Sequence, residues 1–270
     1  MVSNKKLVLL AIHPTHYKNT LPIVAQLRRE GAEVIHPQTV KDFKEICDSV
    51  STQDIIITLY YTKDTLFREK LRGLEHRCLL VDSFYKMQLT ENRRKTLQLL
   101  SYFDIKTPGF FFGSPSKIPI SLGNVLVSKH PFGQVIKLVK REGMLRSDQK
   151  RAYVEERIPN DKKIVRCVTH VFGKIFTRIK QDRFSVNISK NSGTEPVIHT
   201  SEEDTRLAKK VQKIIGMKLF NLDLIDDVVI EVNCCPNFFL YKSVVGHFVS
   251  QVEMVGTHFF GHPVYTLTDR

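Results

Sequence analysis

Along the first 85 residues, short apolar runs alternate with stretches whose apolar positions recur at helical spacing. KKLVLLAI precedes a helix predicted over 19–30, AEVIHP one near 40–50, and DIIITLY one over 63–71; RCLLVDS closes the series. Strands alternating with helices imply parallel βαβ units, and Gly31 falls where a helix stop belongs. The turn after the first run carries His13 and His16 and no GxGxxG, which argues against a dinucleotide site; a His pair three apart is more often structural than metal-binding.

Farther on, Thr90 is expected to open a helix over ENRRKTLQLLSYF, with Leu97 and Leu100 on one face, and IKTPGFFF reads as extended. NVLVSK is a predicted strand ending in Lys129, QVIKLV a second, and AYVEERI a third after a charged linker. KIVRCVTHVFGKIFTRIK has the pattern of a hairpin turning near Gly173. A helix is predicted over 200–215: Thr200 and Glu203 have capping-box spacing, Leu207, Val211, Ile214 and Ile215 form its buried stripe, and Gly216 can end it.

The densest chemistry lies in NLDLIDDVVIEVNCCPNF, two apolar strands joined around Asp226-Asp227. Side chains alternate along a strand, so Glu231 and Asn233 emerge on one face. A three-residue loop, 226–228, puts Asp223 opposite Glu231 and Asn221 opposite Asn233, and leaves Leu222, Leu224, Ile230 and Val232 on the other face. A two-residue loop would mix the two sets. Two carboxylates and an amide oxygen on one face suit Mg2+, which takes one or two carboxylates and completes its shell with phosphate oxygens and water. A solvated polar face holding no ligand has the same pattern, and spacing alone does not decide between them.

Composition narrows the partners. The formal net charge of +13 creates a field that attracts phosphates, nucleic acid or acidic proteins, and the stretch holding Lys137, Lys140, Arg141, Arg146, Lys150 and Arg151 has few aromatic residues to stack bases. Nucleic acid is therefore the less favoured partner. No run reaches the roughly 20 apolar residues of a membrane span, and the N-terminus lacks a small-residue cleavage site, so no membrane partner and a cytoplasmic location are expected. The five cysteines form no CxxC pair and no His/Cys metal spacing, which points to reduced thiols.

DLI followed by IEVNxxPNF resembles the end of an ATP-grasp domain of the RimK-like family, whose members join a carboxyl group to an amine through an acyl phosphate. In the same order as in that family, NRRKTLQLLSYFDIKTP resembles its helix before a "gIpvP" strand, and VSKHP its "vKP" lysine. VEERIPNDKKIVRCVTHVFGKI resembles its hinge and hairpin, and RFSVNISKNSGTEPV its "F-x-x-N…GG" segment. The likeness covers roughly residues 75 to 250. It implies an α/β chain with an ATP-grasp fold: a small parallel α/β domain over 1–85, an N-lobe over 86–157 and a C-lobe with the metal site over 158–270.

By matching position, the resemblance makes Asp223, Glu231 and Asn233 the ligands of Mg2+, with Mn2+ as the alternative ion. Lys129 would hold ATP phosphate oxygens, and Arg93, standing where the family usually has a lysine, would join it in binding the nucleotide. Glu155, Glu156 and Ile158 would form the hinge whose backbone meets adenine. Arg166 matches the arginine of a "DiR" element whose acidic position is Ile164 here. Arg178 or Lys180 would sit over the transferred phosphate, and Asn187 near the metal. Two departures stand out: the glycine-rich phosphate cover is shortened to HPFGQV, and Ser192-Gly193 replaces two glycines.

The implied activity is an ATP- and Mg2+-dependent carboxylate–amine ligase with an anionic small molecule or an acidic peptide or protein as substrate. A kinase of inositol polyphosphates is the alternative, in keeping with the short glycine loop, Arg93, the Glu155-Glu156 pair and the charge. A degenerate nucleotide-binding protein without catalysis is the third. Oligomeric state is open, a homo-oligomer included.

Overall fold

A computed structural model describes residues 6–60, 64–129, 136–147, 149–181, 193–234 and 242–258. The first layer is a parallel sheet, β1 (Lys6–Leu10), β2 (Glu33–Ile35), β3 (Ile55–Thr58) and β4 (Leu79–Val81), in the order β2-β1-β3-β4. Its strands are nearly all apolar because helices cover both faces. These are α1 (Pro14–Arg29), α2 (Val40–Cys47) and α3 (Thr65–Leu74). α1 starts five residues before its predicted start at 19, since Pro14 sits where a missing N–H costs no helical hydrogen bond. Gly31 at φ 91° ends the turn after it, a conformation that a Cβ would strain.

The helix expected to open at Thr90 is two helices, α4 (Phe84–Glu91) and α5 (Arg93–Tyr102). The Thr90 hydroxyl donates back to the Met87 carbonyl at 2.9 Å, and Asn92 is the true cap, accepting from the Lys95 N–H at 3.2 Å. An antiparallel sheet follows, β5 (Phe110–Gly113), β6 (Val125–Lys129), β7 (Ile136–Lys140) and β8 (Ala152–Glu156), in the order β5-β8-β6-β7, with the short α6 (Arg141–Leu145) between β7 and β8. It has its own core of Ile118, Leu122, Leu126, Met144, Ala152 and Val154.

The third sheet holds β9 (Ile164–Val171), β10 (Lys174–Gln181), β11 (Gly193–Ile198), β12 (Leu219–Ile225) and β13 (Val228–Asn233), in the order β11-β10-β9-β12-β13, every pairing antiparallel. β9 and β10 turn at Phe172-Gly173 as the sequence predicts. One face packs on α7 (Glu202–Ile215) through Ala208, Val211 and Ile215, against Val168, Leu222 and Leu224. The cap of α7 is Ser201, whose side chain accepts from the Asp204 N–H, rather than Thr200. Thr200 is recruited elsewhere: its hydroxyl accepts from the Thr177 N–H at 3.1 Å. Gly216 ends α7 in the left-handed region, as expected.

The parallel sheet and the third sheet share cores. Val8, Leu10 and Ile56 belong to one apolar cluster with Val168, Phe220 and Leu222, and Val244, Phe248 and Val252 of α8 (Lys242–His258) pack with Leu7, Leu9, Val171 and Leu219 in another. Asp82, directly after β4, pins the joint by accepting from the Lys218 and Leu219 N–H groups at 2.7 and 2.8 Å. Burial pushes its carboxyl up, an effect that the two backbone donors oppose. Among the described residues no helix is long and apolar enough to cross a membrane.

Candidate functional site

Register assembles the candidate site. Asp223 stands opposite Glu231 and Asn221 opposite Asn233, so the four polar side chains share the face that α7 does not cover. The route to that register differs from the predicted loop. The turn is two residues, Asp226 (φ 50°) and Asp227, and a bulge beyond Asp223/Leu224 supplies the extra residue, Ile230. The carbonyl that the bulge displaces is used: an Arg93 Nη2–H donates to it.

On the same face, Asp223 pairs across the ladder with Cys167 and Cys167 with Arg178, and Lys180 lies two residues beyond Arg178. Lys180 Nζ is 3.4 Å from Asp223 Oδ2, and Asn221 Nδ2–H donates to Oδ1 at 2.6 Å. Burial alone would raise the Asp223 carboxyl, but Lys180 first, then hydrogen bonds from Cys167 and Asn221, then Arg178, hold it below the ordinary aspartate value. The Lys180 ammonium is raised: burial works against its charge and Asp223 outweighs it. The Cys167 thiol, buried beside that carboxylate, is pushed up to about 12, so it is a donor here and not a nucleophile.

Arg93, on the first turn of α5, connects this face to the small sheet. Its Nε and one Nη grip both oxygens of Glu155, the second contact at 2.9 Å, and Nη1 lies 3.7 Å from Glu231 Oε1. Glu155 is buried and also accepts from the Tyr153 hydroxyl at 2.7 Å. Burial, then Glu155, pushes that phenol up.

The other expected residues fall as follows. The Glu156 N–H is engaged by the Gly109 carbonyl at 2.7 Å and its carboxylate by the Gly109 N–H at 3.1 Å, so that N–H is not available to adenine. Ile158 packs against Val165, Cys167 and Ile225, an apolar strip beside the carboxylates. Arg166 is turned away: it pairs with Leu224 on the α7 face and lies 3.4 Å from Asp204, while Asp204 also accepts from the Thr177 hydroxyl. Alternation along β9 puts Cys167, not Arg166, beside Asp223. Lys129 ends β6, but its side chain, like Asn187 and the HPFGQV and Ser192 positions, lies outside the described residues. Cys167 and Asn221 were readable in outline, the first from the hairpin turning near Gly173 and the second from its spacing to Asp223.

Asp223 and Glu231 face one another with Asn233 one pleat away, and Glu231 is 44% exposed in its side chain, open to a ligand. Two carboxylates and an amide are hard oxygen donors, which fits Mg2+ completed by phosphate oxygens. Among the described residues no group of three or more His, Cys, Asp or Glu is gathered, so a closed all-protein metal cage is not what these residues build.

No protein-family model matches the chain, and no curated protein matches it in sequence. Solved structures match it in three dimensions. The macrocyclase MdnC from Microcystis aeruginosa, bound with precursor peptide MdnA, superposes with a TM-score of 0.68 at 14% identity over 94% of this chain and 99% of that one. The ATP-grasp ligase PsnB, complexed with a phosphomimetic variant of its minimal precursor, Mg and ADP, gives 0.69 at 12% identity over 95% and 100%. D-alanine–D-alanine ligase from Bacillus anthracis gives 0.68 at 14% over 95% and 100%. The chain has the ATP-grasp fold.

Proposed function

We propose that the chain is an ATP- and Mg2+-dependent carboxylate–amine ligase of the RimK-like kind, acting through an acyl phosphate on an acidic small molecule or peptide. The observation that carries this is the facing pair Asp223 and Glu231 with Lys180 and Arg178 on the same sheet face. Fold similarity to ligases complexed with ADP, Mg and precursor peptides supports it.

Asp223, Glu231 and Asn233 would hold Mg2+, which when bound neutralises phosphate charge and fixes its orientation. Arg178 and Lys180 present fixed positive charge where the transferred phosphoryl group carries negative charge, an electrostatic contribution that needs no rearrangement at the moment of reaction. Ile158, Val165 and Ile225 offer an apolar wall to a base. Arg93 keeps Glu231 and the small sheet in register.

The test is hydroxylamine capture. An acyl phosphate has an electrophilic carbonyl that hydroxylamine attacks, giving a hydroxamate and inorganic phosphate. With Mg-ATP and a panel of acidic amino acids and peptides, hydroxamate and ADP are expected together, both lowered by Lys129→Ala and Arg178→Ala. Stable transfer of phosphate to an inositol polyphosphate, with no carboxylate supporting ADP release, would replace this reading with the kinase. ATP binding without turnover on any substrate would leave a nucleotide-binding protein.

A further inference from the structure

The exposed face of α7 carries a second feature that the ATP chemistry does not use. Arg206, Lys209, Lys210 and Lys213 recur at i, i+3, i+4 and i+7 and all are exposed. Neighbours three and four apart on a helix touch, so Arg206 meets Lys209 and Lys210, and Lys213 meets the same two. Each of these like-charge contacts weakens the helix. Among the described residues no carboxylate ion pair involves Arg206, Lys209 or Lys213, and Lys210 reaches only the Asp104 carbonyl, at 3.3 Å. Glu202, four residues before Arg206, offsets part of this, but Lys209, Lys210 and Lys213 have no acidic residue three or four positions away on the helix.

Those four cations line a groove of about 570 Å3 with Thr200, Glu202 and Thr205. α7 packs its opposite side, Ala208, Val211 and Ile215, on the sheet face that turns away from Asp223. The groove is therefore behind the sheet, separate from the carboxylate pair.

We propose that this groove docks an acidic segment of a polypeptide. Four cations along two turns match carboxylates repeated at helical or alternating spacing on a partner chain. Among the described residues no aromatic ring lines the groove to stack a base, which single-strand nucleic-acid sites use. Glu202 at one end repels phosphates and carboxylates alike, but a peptide backbone brings N–H donors that it can accept from, and a phosphodiester backbone does not. Charge complementarity and the +13 net charge act in the same direction. This inference does not depend on the ligase reading.

The experiment uses the full chain, a fluorescein-labelled Glu-rich peptide, and a single-stranded oligonucleotide of equal charge, with binding read by anisotropy. Lys209→Glu with Lys210→Glu puts each new carboxylate three or four positions from Arg206 and Lys213 and from no acidic residue, so the variant is expected to melt no lower than wild type. It should nonetheless raise the peptide Kd by about 10-fold or more. A charge-matched control, Lys117→Glu with Lys162→Glu, both exposed and outside α7, should change it less than about 2-fold. Equal weakening in both variants would reduce the effect to the overall field and overturn the proposal, as would an oligonucleotide that binds more tightly than the peptide and loses affinity on the α7 change. ATP binding, measured on the same variants, is expected to be unaltered, so a failed ligase assay and a failed docking assay remain distinguishable.

Discussion

Lys180 and Asp223 lie on strands that are not neighbours, yet the ammonium reaches across β9 to within 3.4 Å of the carboxylate. Both side chains are largely buried, at 15% and 11% exposure, so the pair is weakly screened by water. Lys180 thus supplies the positive charge that a divalent ion would also supply. Lys180→Met removes the main compensation for a buried carboxylate, and with Arg178 still near, a loss of about 2–3 kcal/mol is expected. Mg2+ should raise the melting temperature of this variant more than that of wild type. Equal shifts in the two proteins would count against Asp223 as a ligand.

Glu231→Gln should behave in the opposite sense. The side chain is half exposed, and the change deletes a charge without opening a cavity, so stability should move by no more than about 1 kcal/mol. Turnover of Mg-ATP should fall by roughly 100-fold, the scale of losing one preorganised electrostatic contact. ADP release and thermal melting, measured side by side, check both halves; full activity in the variant would remove Glu231 from the metal set.

The register of β12 and β13 is legible in the sequence because only an odd offset gathers Asn221, Asp223, Glu231 and Asn233 on one face. How that offset is reached is not: alternation fixes parity, and a three-residue loop or a two-residue turn with a bulge at Ile230 satisfies it equally. The choice is tertiary, since Arg93 accepts the geometry by binding the Ile230 carbonyl. Thr200 and Ser201 are adjacent hydroxyls with equal claims to the cap of α7, and the demand of the Thr177 N–H decides between them. Arg166 shows the reverse failure. Its motif match named a residue but not a face, and counting along β9 from Cys167 puts it on the α7 side. α4 carries too weak an apolar stripe, Phe84, Met87 and Thr90, to separate it from α5 without the Asn92 cap. In α8 the spacing of Val244, Phe248 and Val252 is helical, but Gly246 and the β-branched residues dilute the signal.

His36 gives a pH dependence unrelated to the site. Its ring stacks on Tyr17 at 4.3 Å, and since the Thr20 hydroxyl donates to the Tyr17 carbonyl, its oxygen accepts from His36 Nε2–H at 2.9 Å. Nδ1 is buried with no partner among the described residues. Burial, with Arg28 adding repulsion, pushes the imidazole down from 6.5 to about 4. The unfolded chain therefore takes up a proton that the folded one refuses, so this contribution to stability is complete above pH 6.5 and is lost as pH falls toward 4. His36→Leu, which cannot be protonated, should melt closer to wild type at pH 4.5 than at pH 7.5, or above it. A melting-temperature difference independent of pH would mean that the ring titrates as in water.

Arg93 is where the resemblance to ligases and the geometry diverge most, and it yields the sharpest prediction. A lysine at this position would be a point charge free to turn toward phosphate; the arginine spends its planar fork on both oxygens of Glu155 and a further N–H on the Ile230 carbonyl. Burial works against its charge, but Glu155 first and Glu231 after it hold the guanidinium above its ordinary value. Arg93→Ala takes both guanidinium bonds from Glu155, whose side chain is only 2% exposed and which keeps the Tyr153 hydroxyl among its other partners, so a loss of about 3 kcal/mol is expected in urea unfolding. Arg93→Lys keeps the charge but cannot grip two oxygens and a carbonyl together, and should lose a substantial part of the same amount. Adding Glu155→Gln to Arg93→Ala removes the buried charge that has lost its arginine and should recover stability, so that the double variant is more stable than Arg93→Ala alone. If the double variant instead shows the sum of the two single losses, Arg93 and Glu155 are not coupled, and the guanidinium is free for the nucleotide role that the resemblance assigns to its position.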